Sequence, residues 1–224
     1  MNKITQKQVR AVGRRPKSVK TDADTRADIL SAARRVFSRR GVDGTSVREV
    51  AAAAKVNNAM IYYYFKDKVD LYRAVLGDSF AALDRVWEHP IFHSDASARK
   101  KIQKYIEEFI LFEQSNEELR RIMSIELASC KENCKWLADN YFKQHYEKLV
   151  SIFQQGIKSG ELRKFDHRIV IASLLGVIVH NFISKPIAEY ITRGKMDLSV
   201  KRFGSFVTTV FFDGLALGRK LKKE

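Results

Sequence analysis

Hydrophobic residues recur along most of this chain at three- and four-residue spacing, the period of one helix face. No stretch sustains the alternation that a half-buried strand requires. The pattern is most detailed between residues 45 and 68. Ser46 and Glu49 have the S-x-x-E spacing in which each side chain takes the other's backbone N–H, so they start a helix whose apolar face is Val47, Val50, Ala51 and Ala54. The break falls at Lys55-Val56, and Asn57 is a good N-cap for the next helix. There Ile61 and Phe65, four apart, share the core face. Tyr63, about 200° from Ile61 at ~3.6 residues per turn, points away. Asn58, Ala59, Tyr62 and Tyr63 therefore face outward, and Tyr64 lies nearer the core.

Further helices are predicted over 68–87, 98–114, 117–128, 135–158, 168–192 and 199–221, punctuated by the His89-Pro90 break, Gly160 and Gly194. The longest apolar run, 169–183, is shorter than the ~20 residues that span a bilayer and contains His180 and Asn181. It reads as a buried helix that must be covered on every side. Its neighbour offers Phe203, Phe206, Val207, Val210, Phe211, Gly214, Leu217 and Gly218 at helical spacing. Gly204, Gly214 and Gly218 there suggest the close approach of another backbone.

Two short helices in tandem, the second opening on asparagines and ending in tyrosines, form the layout of a helix-turn-helix that reads a DNA major groove. The segment TRADILSAARRVFSRRGVDGTSVREVAAAAKVNNAMIYYYFKDKVDLYRAVL, residues 25–76, resembles the N-terminal domain of the TetR family of bacterial transcriptional regulators. It has the A-x-x-x-F-x-x-x-G ending of a first helix (Ala33, Phe37, Gly41), the Thr-Ser-Val start of a second and the Tyr-Tyr-x-Phe-x-x-Lys close of a third. It departs at Lys55, where the family usually has glycine. A left-handed backbone costs lysine about 1 kcal/mol relative to glycine there, which a domain tolerates.

The resemblance implies an all-α protein, with an N-terminal three-helix helix-turn-helix domain and a C-terminal helical domain for ligand binding and dimerisation. The boundaries expected are a basic arm over 1–22, the helix-turn-helix domain over 23–67 and the effector and dimerisation domain over 68–224. Geometry and resemblance together assign DNA contacts. Arg48 is expected to reach guanine or phosphate; Asn57 and Asn58 enter the groove first and suit adenine. Ala59 lies on the same face. Thr45 is expected at a phosphate, and Tyr62, Tyr63 and Lys68 match family positions that touch phosphates or base edges. The last two helices of the family pair with their twins in a four-helix bundle, which makes Phe203, Val207, Val210, Phe211, Gly214 and Gly218 the expected homodimer interface. The family's apolar pocket lies among the middle helices, where Trp87, Phe109, Phe112, Met123, Leu127, Phe142, Tyr146, Leu149 and His180 are the expected lining, against the alternative that these aromatics are plain core.

Charge agrees with DNA as a partner. Lys and Arg number 41 against 26 Asp and Glu, a formal net charge of +15, and such an excess steers a chain to nucleic acid or an anionic surface. Residues 1–20 hold Lys3, Lys7, Arg10, Arg14, Arg15, Lys17 and Lys20 and no acidic residue. The arm has neither a signal peptide's apolar stretch nor an apolar face for a membrane surface, and is expected to be disordered without DNA. Gly13-Arg14-Arg15-Pro16-Lys17 resembles an AT-hook core that slides arginines into a narrow minor groove; a solvated tail adding only phosphate affinity is the alternative. Cys130 and Cys134 lack the further ligands of a metal site. No histidine follows a glutamate by three residues, and G-x-S-x-G, phosphate-loop and H-E-x-x-H motifs are missing.

The expectation is thus a cytoplasmic homodimeric regulator and not an enzyme, with neither cofactor nor metal. It would be a repressor released from a palindromic site on double-stranded DNA by an apolar or amphipathic small molecule. A ligand-independent architectural DNA-binding protein and a helical enzyme on a repurposed fold are the rivals.

Overall fold

The computed structural model describes residues 21–129 and 132–215. Arg14, Arg15, Cys130 and Gly218 lie outside the described residues. Every described element is helical.

Local chemistry sets the first boundaries. Helix α1 (Asp22–Arg40) begins at a capping box of Thr21 and Asp24 and ends at Gly41, whose φ of 69° suits glycine. A Cβ on Gly41 would also stand 2.9 Å from Ile125. Helix α2 (Val47–Ala54) opens on the Ser46–Glu49 box and closes at Lys55, which adopts the left-handed conformation at φ 60°. Helix α3 (Asn58–Tyr64) starts where the Asn57 side chain accepts from Met60 N. Helix α4 (Lys68–Asp84) comes next, capped by Asp67. Ile29, Phe37, Val50, Ile61, Leu71, Tyr72, Val75 and Leu76 form one buried core across these helices, with Phe37 and Tyr72 edge-to-face at 5.2 Å. Each such side chain contributes about 1.5–3 kcal/mol by leaving water.

The chain then turns through two 3-10 segments, Arg85–Glu88 and Pro90–His93. Helices α5 (Ala98–Ser115), α6 (Glu117–Ser129), α7 (Glu132–Leu137), α8 (Lys143–Lys158), α9 (His167–Thr192) and α10 (Ser205–Leu215) complete the described fold. The helix expected over 135–158 is instead two, joined by a π turn at Ala138–Phe142. A second π turn, Val200–Gly204, precedes α10. Such an insertion rotates the helix C-terminal to it relative to a regular α pattern, a shift that apolar spacing alone does not reveal. Helix α6 packs on both α1 and α5, so it touches both regions.

The structure corrects the expectation that 169–183 is covered all round. Only Ile171, Leu174 and Ile178 of α9 are buried; Ile169, Ile183, Ile187, Tyr190 and Ile191 stand 48–84% exposed. By length and composition α9 could cross a membrane. It carries His180, Lys185 and Glu189, and a Lys or acid at a span's centre costs about 2.5–3.5 kcal/mol. The expected dimer face is also rotated. Phe203 and Val207 are buried within the protomer, Phe203 against Phe182, because the π turn directs them at α5 and α9. Gly204 approaches the Ile110 side chain rather than a second chain's backbone. Val210 and Gly214 are exposed with Phe206, while Phe211 is half-buried.

Candidate functional site

Two surfaces carry chemistry, and α6 lies between them. On the first, α3 presents Asn58, Ala59, Tyr62 and Tyr63 to solvent, the tyrosines at 56% and 72% exposure, while Ile61 is fixed in the core. Arg48 of α2 is exposed beside this face. Its neighbour Glu49 is engaged by Ser46 and, at 3.2 Å, by Arg40; the Ser46 hydrogen bonds hold the Glu49 carboxyl below its ordinary range. That leaves Arg48 as an outward guanidinium with no carboxylate in bridging distance among the described residues. Tyr64 is turned inward, its hydroxyl donating to Asp22, and that bond pushes the phenol upward.

Three expected DNA contacts also have structural duties. Thr45 is only 3% exposed and its hydroxyl donates to Gly41 O at 2.8 Å. This pins the α1–α2 turn rather than offering a donor to a phosphate. Lys68 is half-buried and its ammonium donates to Thr45 O at 2.9 Å, tying α4 to the same turn. Asn57 accepts the α3 cap bond on its side-chain carbonyl, which leaves its amide N–H donors for another partner. Spacing identified these positions, and burial decides their duties.

The second surface is a cavity of about 380 Å³ enclosed by α4, α5, α6, α8 and α9, within the ~300–1,000 Å³ of small-molecule sites. Phe109, Met123, Leu127, Phe142 and Tyr146 line it, as do Phe80, Leu83, Tyr105, Leu119, Leu175 and Val179. Trp87, Phe112, Leu149 and His180 do not. Leu149 is fully buried in the core, and Phe112 packs behind the wall against Phe80 and Phe109. His180 is exposed on the far side of α9. Trp87 sits one layer back, stacked on Tyr105 at 5.2 Å.

The polar lining is not evident from the sequence: Glu113, Asn116, Arg120, Ser124, His145 and Arg168. Glu113 in an otherwise apolar stripe of α5 was the available signal. His145 is the more informative. The Trp87 indole, which can only donate, bonds Nδ1 at 2.8 Å, so Nε2 carries the proton and donates to Asp84 at 2.9 Å. Burial lowers the imidazole's pKa and Asp84 acts against it. One residue of the cavity wall is thereby joined to the C-terminal end of α4.

Helix α6 supplies the other link. Leu119, Met123 and Leu127 face the cavity, Ile125 abuts Gly41 at the end of α1, and buried Glu126 accepts from the Tyr72 hydroxyl of α4 at 2.8 Å. Helix α6 is thus shared between the cavity wall and the elements that carry α2 and α3. Among the described residues no cluster of His, Cys, Asp and Glu could hold a metal ion.

Residues 29–75 match the family model for bacterial regulatory proteins of the tetR family. The chain is 42% identical over 55 residues to the transcriptional repressor BepR of Brucella suis, covering 25% of this chain and 26% of that one. Against the transcriptional regulator RutR of Escherichia coli K12 it is 28% identical over 194 residues, covering 84% and 87%. The transcriptional regulator FadR of Bacillus subtilis, solved with stearoyl-CoA, shares the fold at a TM-score of 0.64, with 22% identity and 84% and 98% coverage. The chain spans about a quarter of BepR and most of RutR.

Proposed function

The chain belongs to the TetR family of bacterial regulatory proteins, and from that premise we infer that it is a ligand-responsive repressor. It acts in the cytoplasm as a homodimer on a palindromic operator in double-stranded DNA. The exposed side chains of α3, with Arg48, read the major groove, and Arg14 and Arg15 of the basic arm add minor-groove or phosphate contacts. The uncovered faces of α9 and α10 meet their twins, since an exposed apolar row from Ile169 to Ile191, with Phe206 and Val210, is the kind of surface that marks an interaction site. The effector is an apolar or amphipathic small molecule in the α4–α9 cavity, and the fold is one that FadR uses in its stearoyl-CoA complex.

One observation carries the switch: α6 forms the cavity wall with one face and contacts α1 and α4 with the other. A ligand that favours a conformation in which the two α3 helices misfit half-sites ~34–36 Å apart weakens DNA binding by the factor that DNA weakens its own. A ligand-independent architectural protein has no use for such a cavity. The test is selection from a random DNA pool, then titration of the enriched site with lipophilic compounds. A two-fold palindrome whose retention falls on ligand binding is expected. Enrichment without symmetry, or cavity ligands that leave operator affinity unchanged, refutes the reading.

A further inference from the structure

The cavity has one charged corner. Glu113, one turn beyond Phe109 on α5, is 7% exposed. Its carboxylate is held by Arg120 Nη1 of α6 at 3.3 Å, and the same nitrogen donates to the Glu113 carbonyl. Burial pushes the Glu113 carboxyl upward, with Arg120 opposing it. Both bonds use Nη1; among the described residues nothing accepts from Nε or Nη2 of this guanidinium, which lies 5.1 Å over the Phe182 ring. Arg120 also walls a second, more open cleft of about 490 Å³ whose lining includes Glu117, Lys185 and Ser199. Arg120 therefore stands where an apolar cavity meets a polar cleft, with two donor positions uncommitted.

The charged groups lining the apolar cavity are Arg120, Arg168 and Glu113. Arg168 is bridged to Asp166 by two hydrogen bonds and its side chain is 76% exposed, so its other donors stay in water; Arg120, at 13%, is the buried cation with donors to give. A purely apolar ligand leaves those donors unmet, and a purely polar one leaves the aromatic walls unmet. We propose that the effector is a single-chain amphiphile with an anionic head, its chain in the apolar cavity and its head on the Nε–Nη2 edge of Arg120 at the mouth of the polar cleft. This deepens the ligand-responsive reading and rests on it. At the ~30 Å³ that a water occupies in the liquid per carbon-sized group, the cavity holds a chain of at most about a dozen carbons.

The experiment titrates the full-length protein with dodecanoate, dodecanol and dodecylammonium below their micelle-forming concentrations, and with hexanoate and octadecanoate for length. Dodecanoate is expected to bind tightest in both series. Arg120→Gln should weaken dodecanoate by about ten- to a hundredfold, the size of a lost hydrogen bond to a charged group, and leave dodecanol unchanged. Because that variant strands the Glu113 carboxylate, Glu113→Gln with Arg120→Gln removes both charges, and it should likewise bind dodecanol normally and lose the preference for the acid. Preference for dodecylammonium assigns the head to Glu113 and overturns the proposal. Equal binding of acid and alcohol, or equal weakening of both by Arg120→Gln, overturns it while leaving a ligand-responsive repressor intact. Binding as expected with no change in operator affinity upholds the head assignment and sinks the regulatory reading instead.

Discussion

Tyr72→Phe isolates the link between α4 and α6. The Tyr72 ring is fully buried, stacked edge-to-face on Phe37, and its hydroxyl donates to Glu126 at 2.8 Å. Burial and the Glu126 carboxylate both push the phenol far upward, so it stays a donor throughout the working pH range. The substitution keeps the ring and deletes one atom. It leaves a carboxylate on a residue 5% exposed without its tyrosine donor, and stranding a charged hydrogen-bonding group costs about 1.5–3 kcal/mol. For a chain of this size that corresponds to a melting temperature lower by about 3–12 °C, at ~2–4 °C per kcal/mol. The protein stays folded, because domains have about 5–15 kcal/mol in hand. The sharper consequence is for coupling. If α6 transmits ligand binding through this bond, effector should still bind while its effect on operator affinity, expected at about 1–3 kcal/mol, shrinks by half or more. Calorimetry for the effector and fluorescence anisotropy for labelled operator, with and without effector, measure the two legs separately. A variant with the lower melting temperature and an unchanged coupling factor would refute the α4–α6 route and leave the Ile125–Gly41 contact as the transmitter.

The same geometry sets three other outcomes. Arg48→Ala should cost about 1–3 kcal/mol in operator affinity and relax one base position if the guanidinium is bidentate to guanine; uniform weakening across sequences marks a phosphate contact instead. Ile187→Lys places a charge on the exposed α9 face and should convert the dimer to monomer on a sizing column with the helical signal retained, since each Ile buried at a two-fold contact is worth about 1.5–3 kcal/mol and is counted twice; an unchanged elution volume removes that face from the interface. His145 has a folded pKa below its unfolded value of about 6.5, so the unfolded chain binds the extra proton, and its contribution to stability is present above ~6.5, falls as pH drops below it and levels off under the folded pKa. Glu113, raised by burial, slopes the opposite way at lower pH, so the wild type minus His145→Gln difference in melting temperature between pH 5 and 8 isolates the histidine; a flat difference shows that its protonation is indifferent to folding.

The DNA-binding unit was legible because its determinants are local. The Ser46–Glu49 box, the Asn57 cap and the Ile61–Phe65 pair each act within four residues, and the structure reproduces them. Even the left-handed Lys55 is a product of the tight turn its neighbours impose. The difficulty there lay where a side chain had a choice of partner: the Thr45 hydroxyl could turn to phosphate or to Gly41 O, four residues away, and only its burial shows that it turns inward. In the C-terminal region nearly every determinant is long-range. The apolar stripe beginning at Phe203 reads as one face, but the Val200–Gly204 π turn rotates it and sends Phe203 and Val207 into the protomer. Likewise α9 is apolar on all sides, yet a single chain covers only Ile171, Leu174 and Ile178. Hydrophobicity reports that a face will be covered, not which chain covers it. The polar corner of the cavity obeys the same logic. Glu113 and Arg120 are seven residues apart across the α5–α6 turn, and His145 meets Trp87 and Asp84 across about sixty residues. Buried polar groups are held by their partners, so these positions stand out only once the fold brings each partner within hydrogen-bonding distance.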